Sequence, residues 1–97
     1  MESNSLEGVR IVIDVDGTLC EVRPPDVSYA DVAPHEETVA VLRDYWERGA
    51  HIVLHTSRQM RTYDGNLGLI CVHTLPVLVD WLRKHNVPFH EIILGKL

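Results

Sequence analysis

The chain has little cysteine and no long apolar run, and each of these two features excludes some classes of protein. Its two cysteines, Cys20 and Cys71, are too few and too far apart in sequence for a zinc cluster or a disulfide scaffold. No apolar run approaches the roughly 20 residues needed to cross a bilayer, and residues 1–8 do not resemble a signal peptide. We therefore expect a reduced, cytoplasmic protein that does not enter a membrane.

Positive charge is also scarce. The chain has 9 Lys and Arg against 14 Asp and Glu, a formal net charge of -5, and its basic residues are scattered. This pattern argues against nucleic acid or an anionic membrane as a partner and favours small molecules. The hydrophobic share of 45% and the charged share of 24% are typical of a globular protein. The 97 residues suffice for one small domain.

The first half of the chain predicts a tail, a strand and a loop. Residues 1–8 are polar and unpatterned, so we expect a flexible N-terminal tail, followed by one domain over residues 9–97. Val9 to Val15 is a nearly continuous β-branched run, as in a parallel strand that is buried on both faces. Leu19 to Pro34 contains three prolines and has no sustained period, which indicates a loop over the strand end.

Two helices and two further strands follow. The first helix runs from Glu36 to Gly49 and presents Val39, Leu42 and Trp46 on one face. The later elements are a strand at 50–55, a polar loop at 56–66, a helix capped by Thr74 and ending near residue 86, and a strand at 91–94. The order βαβαβ predicts an α/β fold, a Rossmann-like three-layer sandwich with a parallel three-stranded sheet.

Distinctive polar residues follow each predicted strand. In an open α/β sheet the ligand crevice lies beyond the carboxyl ends of the strands. The residues at those ends are Asp14, Asp16 and Thr18 after the first strand, Thr56, Ser57 and Arg58 after the second, and Lys96 after the third. We therefore expect three separate segments to meet at one edge of the sheet.

The two carboxylates Asp14 and Asp16 are two residues apart and project to one side of the strand end. Unneutralised, they would repel, and a hard cation such as Mg²⁺ would relieve that repulsion while holding a substrate phosphate. One carboxylate is then suited to attack phosphorus and the other to handle the proton. The alternative is an ordinary strand-terminating turn, because Asp and Gly are common turn residues.

The segment Ile11-Val12-Ile13-Asp14-Val15-Asp16-Gly17-Thr18-Leu19 closely resembles the first motif of the haloacid dehalogenase superfamily of phosphatases, D-x-D-x-T after an apolar strand. The resemblance implies Asp14 as the nucleophile that forms an aspartyl-phosphate, Asp16 as general acid and base, and Thr18 as a residue that fixes the loop. Asp14 and Asp16 are the expected magnesium ligands. Ile52 to Thr56 looks like the second motif, and Gly95-Lys96 looks like the motif-three lysine.

Thr56 would then donate a hydrogen bond to the transferring phosphoryl group, and Lys96 would stabilise its negative charge. Each has an ordinary alternative, because a Thr after a strand is commonly a turn residue and a terminal Lys is commonly solvated. The catalytic set implied by the resemblance is Asp14, Asp16, Thr56 and Lys96. The substrate-binding set is Thr18, Ser57 and Arg58.

Within that superfamily, almost the whole chain from Val9 resembles small capless members associated with capsule and surface-sugar biosynthesis. Segments that carry this resemblance are His55 to Thr62, Val72 to Pro76, Lys84 to Pro88 and Leu94 to Lys96. It implies a small phosphorylated metabolite, with a sugar phosphate favoured, and it puts Arg58, Arg61 and His73 near the ligand. A solvated loop is the alternative for these three residues.

One departure from the family pattern sets up a rival hypothesis. The pattern continues past the lysine into a further strand and an acidic fourth motif, whereas this chain ends at Leu97. The expected explanations are a truncated fragment, a short form with little activity, or a metal site completed by water or a partner chain. The rival function is a catalytically impaired core that serves in assembly or binding. Because the first strand would then be an edge, we expect a homo-oligomer.

Histidine and tryptophan give no separate site. His51 and His55 are four residues apart on a strand, roughly 13 Å in an extended chain, which is too far for one zinc ion. Trp46, Trp81 and Phe89 are expected to pack in or around the core, since no basic stripe accompanies them to make a base-stacking surface.

Overall fold

The computed structural model describes residues 4–97, which fold around a three-stranded parallel sheet. The strands are β1 (Arg10–Asp14), β2 (His51–His55) and β3 (Glu91–Ile93), in the spatial order β1-β2-β3. The β1 register pairs Asp14 with His55, and the β2 register pairs His55 with Ile93. All three strands therefore end at one edge, and the predicted Rossmann-like α/β class is confirmed.

The helices are α1 (Glu36–Glu47), α2 (Leu67–His73) and α3 (Leu75–Lys84), with a short 3-10 helix at Tyr29–Asp31. The predicted first helix matches α1, which begins with Glu36 and Glu37 in its first turn and ends before Gly49. Acidic side chains there face the positive end of the helix dipole. Gly49 has a φ of 94°, the left-handed backbone that lets the chain leave the helix.

Helices α1 and α3 cover the same face of the sheet. Ile52 and Leu54, which project to one side of β2, lie in a single buried cluster with side chains from both helices: Val39, Leu42, Leu78, Trp81 and Leu82. Each large side chain buried in this way stabilises the fold by about 1.5–3 kcal/mol. On the opposite face, Val12 and Ile93 are 48% and 39% exposed. The prediction that the first strand is buried on both faces is therefore wrong, because no helix within residues 4–97 covers Val12 and β1 lies at the edge of the sheet.

Helix α2 was not predicted from the sequence. Asn66 caps it, because its side-chain oxygen accepts a hydrogen bond from the Leu69 backbone N–H at 3.1 Å. Ile70 is the residue that α2 buries, whereas Leu67 and Val72 are exposed, so the apolar residues do not follow the spacing of one buried helix face. The periodic signal that revealed α1 and α3 is therefore missing here.

Thr74 joins α2 directly to α3, which corrects its expected role. The second predicted helix does begin at Leu75, but the Thr74 backbone is helical and its side chain makes no cap hydrogen bond. The Thr74 hydroxyl instead donates to Oε1 of Gln59 at 2.5 Å. Its side chain thus ties the helix junction to the loop that follows β2.

The segment from Leu19 to Pro34, here called the flap, is a loop as predicted, apart from the 3-10 helix. It is anchored at several points, since Leu19, Cys20 and Val32 are buried. The indole N–H of Trp81 donates to the Val32 carbonyl at 2.9 Å. The flap is therefore held against α3, and its Tyr29 lies near the end of β1.

The N-terminal segment contacts the end of α1. Residues 1–3 lie outside the described residues. In residues 4–8, the Leu6 N–H donates to the Arg48 carbonyl at 2.6 Å, and the Arg48 guanidinium donates to the Asn4 carbonyl at 2.7 Å. The flexibility expected for residues 1–8 stays a prediction. Within residues 4–97, no helix combines the length and apolar character needed to span a membrane.

Candidate active site

The edge where the strands end brings together side chains from all three segments that the sequence singled out. Lys96 Nζ lies 3.0 Å from Asp14 Oδ1. Thr56 Oγ1 donates to Asp16 Oδ2 at 2.9 Å, and Arg58 Nη2 donates to Asp16 Oδ1 at 2.8 Å. Residues 40 or more positions apart in sequence thus meet within hydrogen-bond distance, as the topology of a parallel sheet requires.

Asp16 is held on both carboxylate oxygens. Its Oδ2 accepts from the Thr56 hydroxyl, whose oxygen in turn accepts from the Arg58 backbone N–H at 3.0 Å. Thr56 is buried, and its single hydroxyl hydrogen is used in the hydrogen bond to Asp16. The resemblance predicted that this proton would serve the phosphoryl group, and in the present geometry it orients the acid–base candidate instead.

Arg58 is buried beneath the flap, which rules out the alternative of a solvated loop residue. Its side chain is 1% exposed, and its guanidinium carbon lies 4.2 Å from the centre of the Tyr29 ring. Arginine stacks well on aromatic rings because its charge is delocalised and weakly hydrated. Its Nη1 is buried and has no hydrogen-bond partner among the described residues. Arg61 and His73, by contrast, are exposed.

Two predicted substrate-binding residues, Thr18 and Ser57, lie in the loops that carry Asp16 and Arg58. Gly17 has a φ of 85°, which lets the chain reverse so that the N–H groups of Thr18 and Leu19 both reach the Val15 carbonyl. Thr18 helps to fix the loop through its backbone, and its carbonyl also lies 2.9 Å from His35 Nδ1. Ser57 is exposed and lines the same cavity as Asp16.

The charges of the site balance without any bound ion. Asp14 and Asp16 carry two negative charges, and Lys96 and Arg58 carry two positive charges at 3.0 and 2.8 Å. The repulsion expected between the carboxylates is thus relieved by protein cations. Across residues 4–97, no group of three or more His, Cys, Asp or Glu side chains is arranged to hold a metal.

The donor chemistry nevertheless suits magnesium. Mg²⁺ is commonly held by one or two carboxylates, with water and substrate phosphate at its other positions. Asp14 and Asp16 supply two hard oxygen ligands of this kind. The residues present therefore fit a magnesium ion that is shared with a phosphorylated substrate, and they do not fit a closed cage made of protein ligands alone.

Cys20 lies beside Asp16 and was not singled out as a site residue. Its Sγ is 3.9 Å from Asp16 Oδ1 and 3.7 Å from the Val15 carbonyl oxygen. Burial, with a smaller effect from the Asp16 charge, raises the pKa of the thiol from 9.0 to about 11. The group is therefore a neutral thiol near pH 7 that can donate weakly toward Asp16.

Two adjoining cavities open beside the ion pair between Asp16 and Arg58. The larger, about 450 Å³, is lined by Asp16, Tyr29, Ser57, Arg58, Gln59, Met60, Arg61 and Thr62. The smaller, about 250 Å³, is lined by Ser28, Tyr29, Ala30, Arg58, Gln59, His73, Thr74 and Val77. Tyr29, Arg58 and Gln59 belong to both. Tyr29 and Gln59 were missed from the sequence, since a Tyr in a proline-rich loop and a Gln after a strand carry no distinctive motif.

No family model matches this chain, and no curated protein gives a significant match. The crystal structure of a target protein from Vibrio cholerae is 44% identical, with a TM-score of 0.85, over 92% of this chain and 71% of that chain. At this identity and coverage, the chain belongs to the same protein family as the Vibrio cholerae protein.

Proposed function

We propose that this protein is a phosphomonoester hydrolase of the haloacid dehalogenase type, which acts through an aspartyl-phosphate on a small phosphorylated metabolite. The single observation that supports it most is the pair of ion pairs, Asp14 with Lys96 and Asp16 with Arg58, at one edge of the parallel sheet. Two oriented carboxylates beside two cations supply a nucleophile, an acid–base group and stabilisation for negative charge.

Asp14 is the nucleophile in this proposal. One of its carboxylate oxygens attacks phosphorus, and the bond from phosphorus to the leaving oxygen breaks, so that the phosphoryl group is carried on Asp14. Lys96, 3.0 Å from Asp14 Oδ1, is close enough to offset negative charge on the phosphoryl oxygens. Its ammonium group can turn among three donors to follow that charge.

Asp16 handles the proton. It takes up one proton from solvent before the first turnover, gives that proton to the leaving oxygen in the first step, and takes a proton from the water that hydrolyses the aspartyl-phosphate in the second. Hydrolysis frees the Asp14 carboxylate, leaves Asp16 protonated for the next turnover and releases inorganic phosphate. Thr56 and Arg58 orient Asp16 before the substrate binds. Arg58 must release Oδ1 of Asp16 when the leaving group arrives.

Magnesium is part of the proposal. Asp14 and Asp16 would hold it, and when bound it would offset the charge of the substrate phosphate and fix its position. The oxygen-only donor set supports this choice over zinc or copper, which favour nitrogen and sulfur ligands.

The activity is tested with p-nitrophenyl phosphate, assayed with and without Mg²⁺. Asp14→Asn removes the nucleophile while keeping nearly the same shape, so hydrolysis should fall to the uncatalysed background. The matched control is Asp64→Asn, the same chemical change at an exposed residue whose left-handed backbone asparagine tolerates. Mass spectrometry of acid-quenched protein should find a phosphoryl group on the peptide that contains Asp14. Equal rates for wild type and Asp14→Asn would refute the proposal.

A binding or assembly role is the second candidate. It is favoured by the neutralisation of both carboxylates by Lys96 and Arg58, which leaves less negative charge to attract a cation. Wild-type protein that shows no Mg²⁺-dependent hydrolysis but self-associates would support this role. Small metabolites remain the proposed ligands, with nucleic acid and membranes disfavoured by the net charge of -5.

A further inference from the structure

The smaller of the two cavities has no role in the chemistry proposed above. Three separate segments form its wall: the flap through Ser28 and Tyr29, the loop after β2 through Arg58 and Gln59, and the α2–α3 junction through His73 and Thr74. Because Tyr29, Arg58 and Gln59 also line the cavity that contains Asp16, the two spaces adjoin. A substrate with its phosphate near Asp16 would extend its remaining part toward this cavity.

A buried and incompletely bonded arginine lies in its wall. Arg58 has a side chain that is 1% exposed, yet its Nη1 finds no partner in the part of the chain that the structure describes. A buried donor left without an acceptor costs about 1–3 kcal/mol. An oxygen brought by a ligand into the adjoining space would lower that cost once the side chain adjusts.

Gln59 gives a second and independent sign of a binding site. Its φ of 61° is in the left-handed region, which is uncommon for residues other than glycine, asparagine and aspartate because the Cβ atom crowds the backbone. Such strain is commonly found at functional sites. The hydrogen bond from Thr74 to Gln59 Oε1 holds the side chain in place. With its oxygen occupied, the amide N–H₂ of Gln59 is the group that remains available to donate to a ligand.

The charge balance decides what kind of ligand fits. Arg58 is the one formally charged residue in the cavity wall, and Asp16 already neutralises its guanidinium at 2.8 Å. The other polar lining residues are Ser28, Tyr29, Gln59, His73 and Thr74. The hydroxyls of Ser28 and Thr74 already donate to Asp31 and Gln59, so toward a ligand they act as acceptors. Neutral donors and acceptors of this kind match hydroxyl groups, whereas a second anion would find no unpaired positive charge.

We propose that this cavity is a specificity site for the uncharged, hydroxyl-bearing part of the phosphoester, with Gln59 as its principal specificity residue. The inference rests on the proposed hydrolase function. The cavity recognises the leaving group, and it rejects leaving groups that carry a carboxylate or a second phosphate.

The test compares three phosphorylated compounds: the esters glucose 6-phosphate and 3-phosphoglycerate, and acetyl phosphate, an acyl phosphate whose leaving group is too small to need the cavity. Val77→Phe adds an aromatic ring to the cavity wall. We expect the ratio of kcat/KM for glucose 6-phosphate to that for acetyl phosphate to fall by about tenfold or more, equivalent to about 1.4 kcal/mol. Val41→Phe is the matched control, an exposed valine on α1 outside the cavity, and should leave the ratio within about twofold.

Gln59→Asn is the second variant, because asparagine adopts left-handed backbone readily and shortens the amide by one methylene. It should raise KM for glucose 6-phosphate more than KM for acetyl phosphate. A wild-type preference for 3-phosphoglycerate, or an unchanged ratio in Val77→Phe, would overturn the specificity site. If Asp14-dependent hydrolysis persists in that case, the proposed function stands without it.

Binding is measured separately by saturation-transfer NMR with glucose 6-phosphate. If wild type hydrolyses neither these compounds nor p-nitrophenyl phosphate, the proposed function fails and this measurement decides on the cavity alone. A signal in wild type that is lost in Val77→Phe supports the site. A signal that is absent in wild type, or kept in Val77→Phe, rejects it.

Discussion

If magnesium binds at Asp14 as proposed, it must compete with Lys96 for that carboxylate. Removing the ammonium group 3.0 Å from Asp14 Oδ1 leaves the site with a net negative charge, which attracts a divalent cation more strongly. At partly exposed positions such an interaction is worth about 1 kcal/mol, so Lys96→Ala should bind Mg²⁺ about fivefold more tightly while hydrolysing p-nitrophenyl phosphate at least about tenfold more slowly.

Isothermal titration calorimetry measures that affinity, with Lys84→Ala, an exposed lysine at the end of α3, as the control for charge alone. Wild type should bind weakly, since two carboxylates that are already paired form an incomplete site. Unchanged or weaker Mg²⁺ binding in Lys96→Ala would show that the ion does not bind beside Asp14.

The two cysteines should differ sharply in reactivity. The thiolate is the reactive form, and the pKa of the buried Cys20 is raised to about 11, whereas Cys71 is exposed. Iodoacetamide at pH 8 should modify Cys71 alone in native protein and both residues in guanidinium chloride. Peptide mass spectrometry reads this directly, and rapid native labelling of Cys20 would contradict the buried position.

The raised pKa of Cys20 also makes the free energy of unfolding depend on pH. Because the folded-state pKa of Cys20 lies above its unfolded value of 9.0, the folded state holds its proton more tightly. The stabilisation is complete below about pH 9 and is lost as pH rises toward about 11. A Cys20→Ala variant should show a smaller loss of stability across that alkaline range.

At the scale of elements, the segment after β3 passes close to α2 just before Lys96. Gly95 follows β3 with a φ of 77°, and a Cβ there would collide with Leu67 on α2. Gly95→Ala therefore combines the left-handed backbone cost of about 1–2 kcal/mol with a steric clash. Urea unfolding should show a larger loss of stability than for Gly8→Ala, where the φ is similar but the space is open.

A double variant separates the two causes. Adding Leu67→Ala to Gly95→Ala removes the colliding side chain, which is half exposed, so part of the lost stability should return while the backbone cost remains. An equal loss in Gly8→Ala and Gly95→Ala would mean that α2 does not pack against Gly95 in solution.

The elements also show which helices and strands can be predicted from local sequence patterns. The strands and helices α1 and α3 were predicted from apolar runs and helical spacing, because each buries a continuous face in the core. Their predicted ends differ from the observed ones by one or two residues, as expected where hydrogen bonding frays. Helix α2 is not predicted by these patterns, although Asn66 is a good cap, because only Ile70 among its apolar residues is buried.

At the scale of the whole molecule, the outer edge of β1 has no strand partner within residues 4–97. Its sequence is self-complementary in an antiparallel pair centred on Val12, since Arg10 would then lie opposite Asp14 of a second copy. Opposite charges across strands and exposed backbone groups both favour pairing. We expect a two-fold symmetric homo-oligomer joined through this strand.

Light scattering across a dilution series tests the association. Val12→Lys would put two like charges opposite each other at the centre of the pair and should give a monomer. Val41→Lys, a change of the same kind at a valine that is also 48% exposed, should leave the mass unchanged. A monomeric mass for wild type at every concentration would rule out the oligomer.

Sequence alone determined the class of fold and the location of the candidate site. Each strand is a short apolar run, and the carboxyl ends of parallel strands must meet at one edge, so Asp14, Asp16, Thr56, Arg58 and Lys96 could be grouped without coordinates. Such rules depend on composition and period, which are local properties of the chain.

Tertiary structure alone decided the pairing and the cavity. Several contacts depend on where the flap and the α2–α3 junction pack. Arg58 is buried under Tyr29 and bonded to Asp16, the Thr56 hydroxyl donates a hydrogen bond to Asp16, and Thr74 donates to Gln59. These contacts join segments that share no periodic signal. Their partners are fixed only when burial forces each polar group to find an acceptor or a donor.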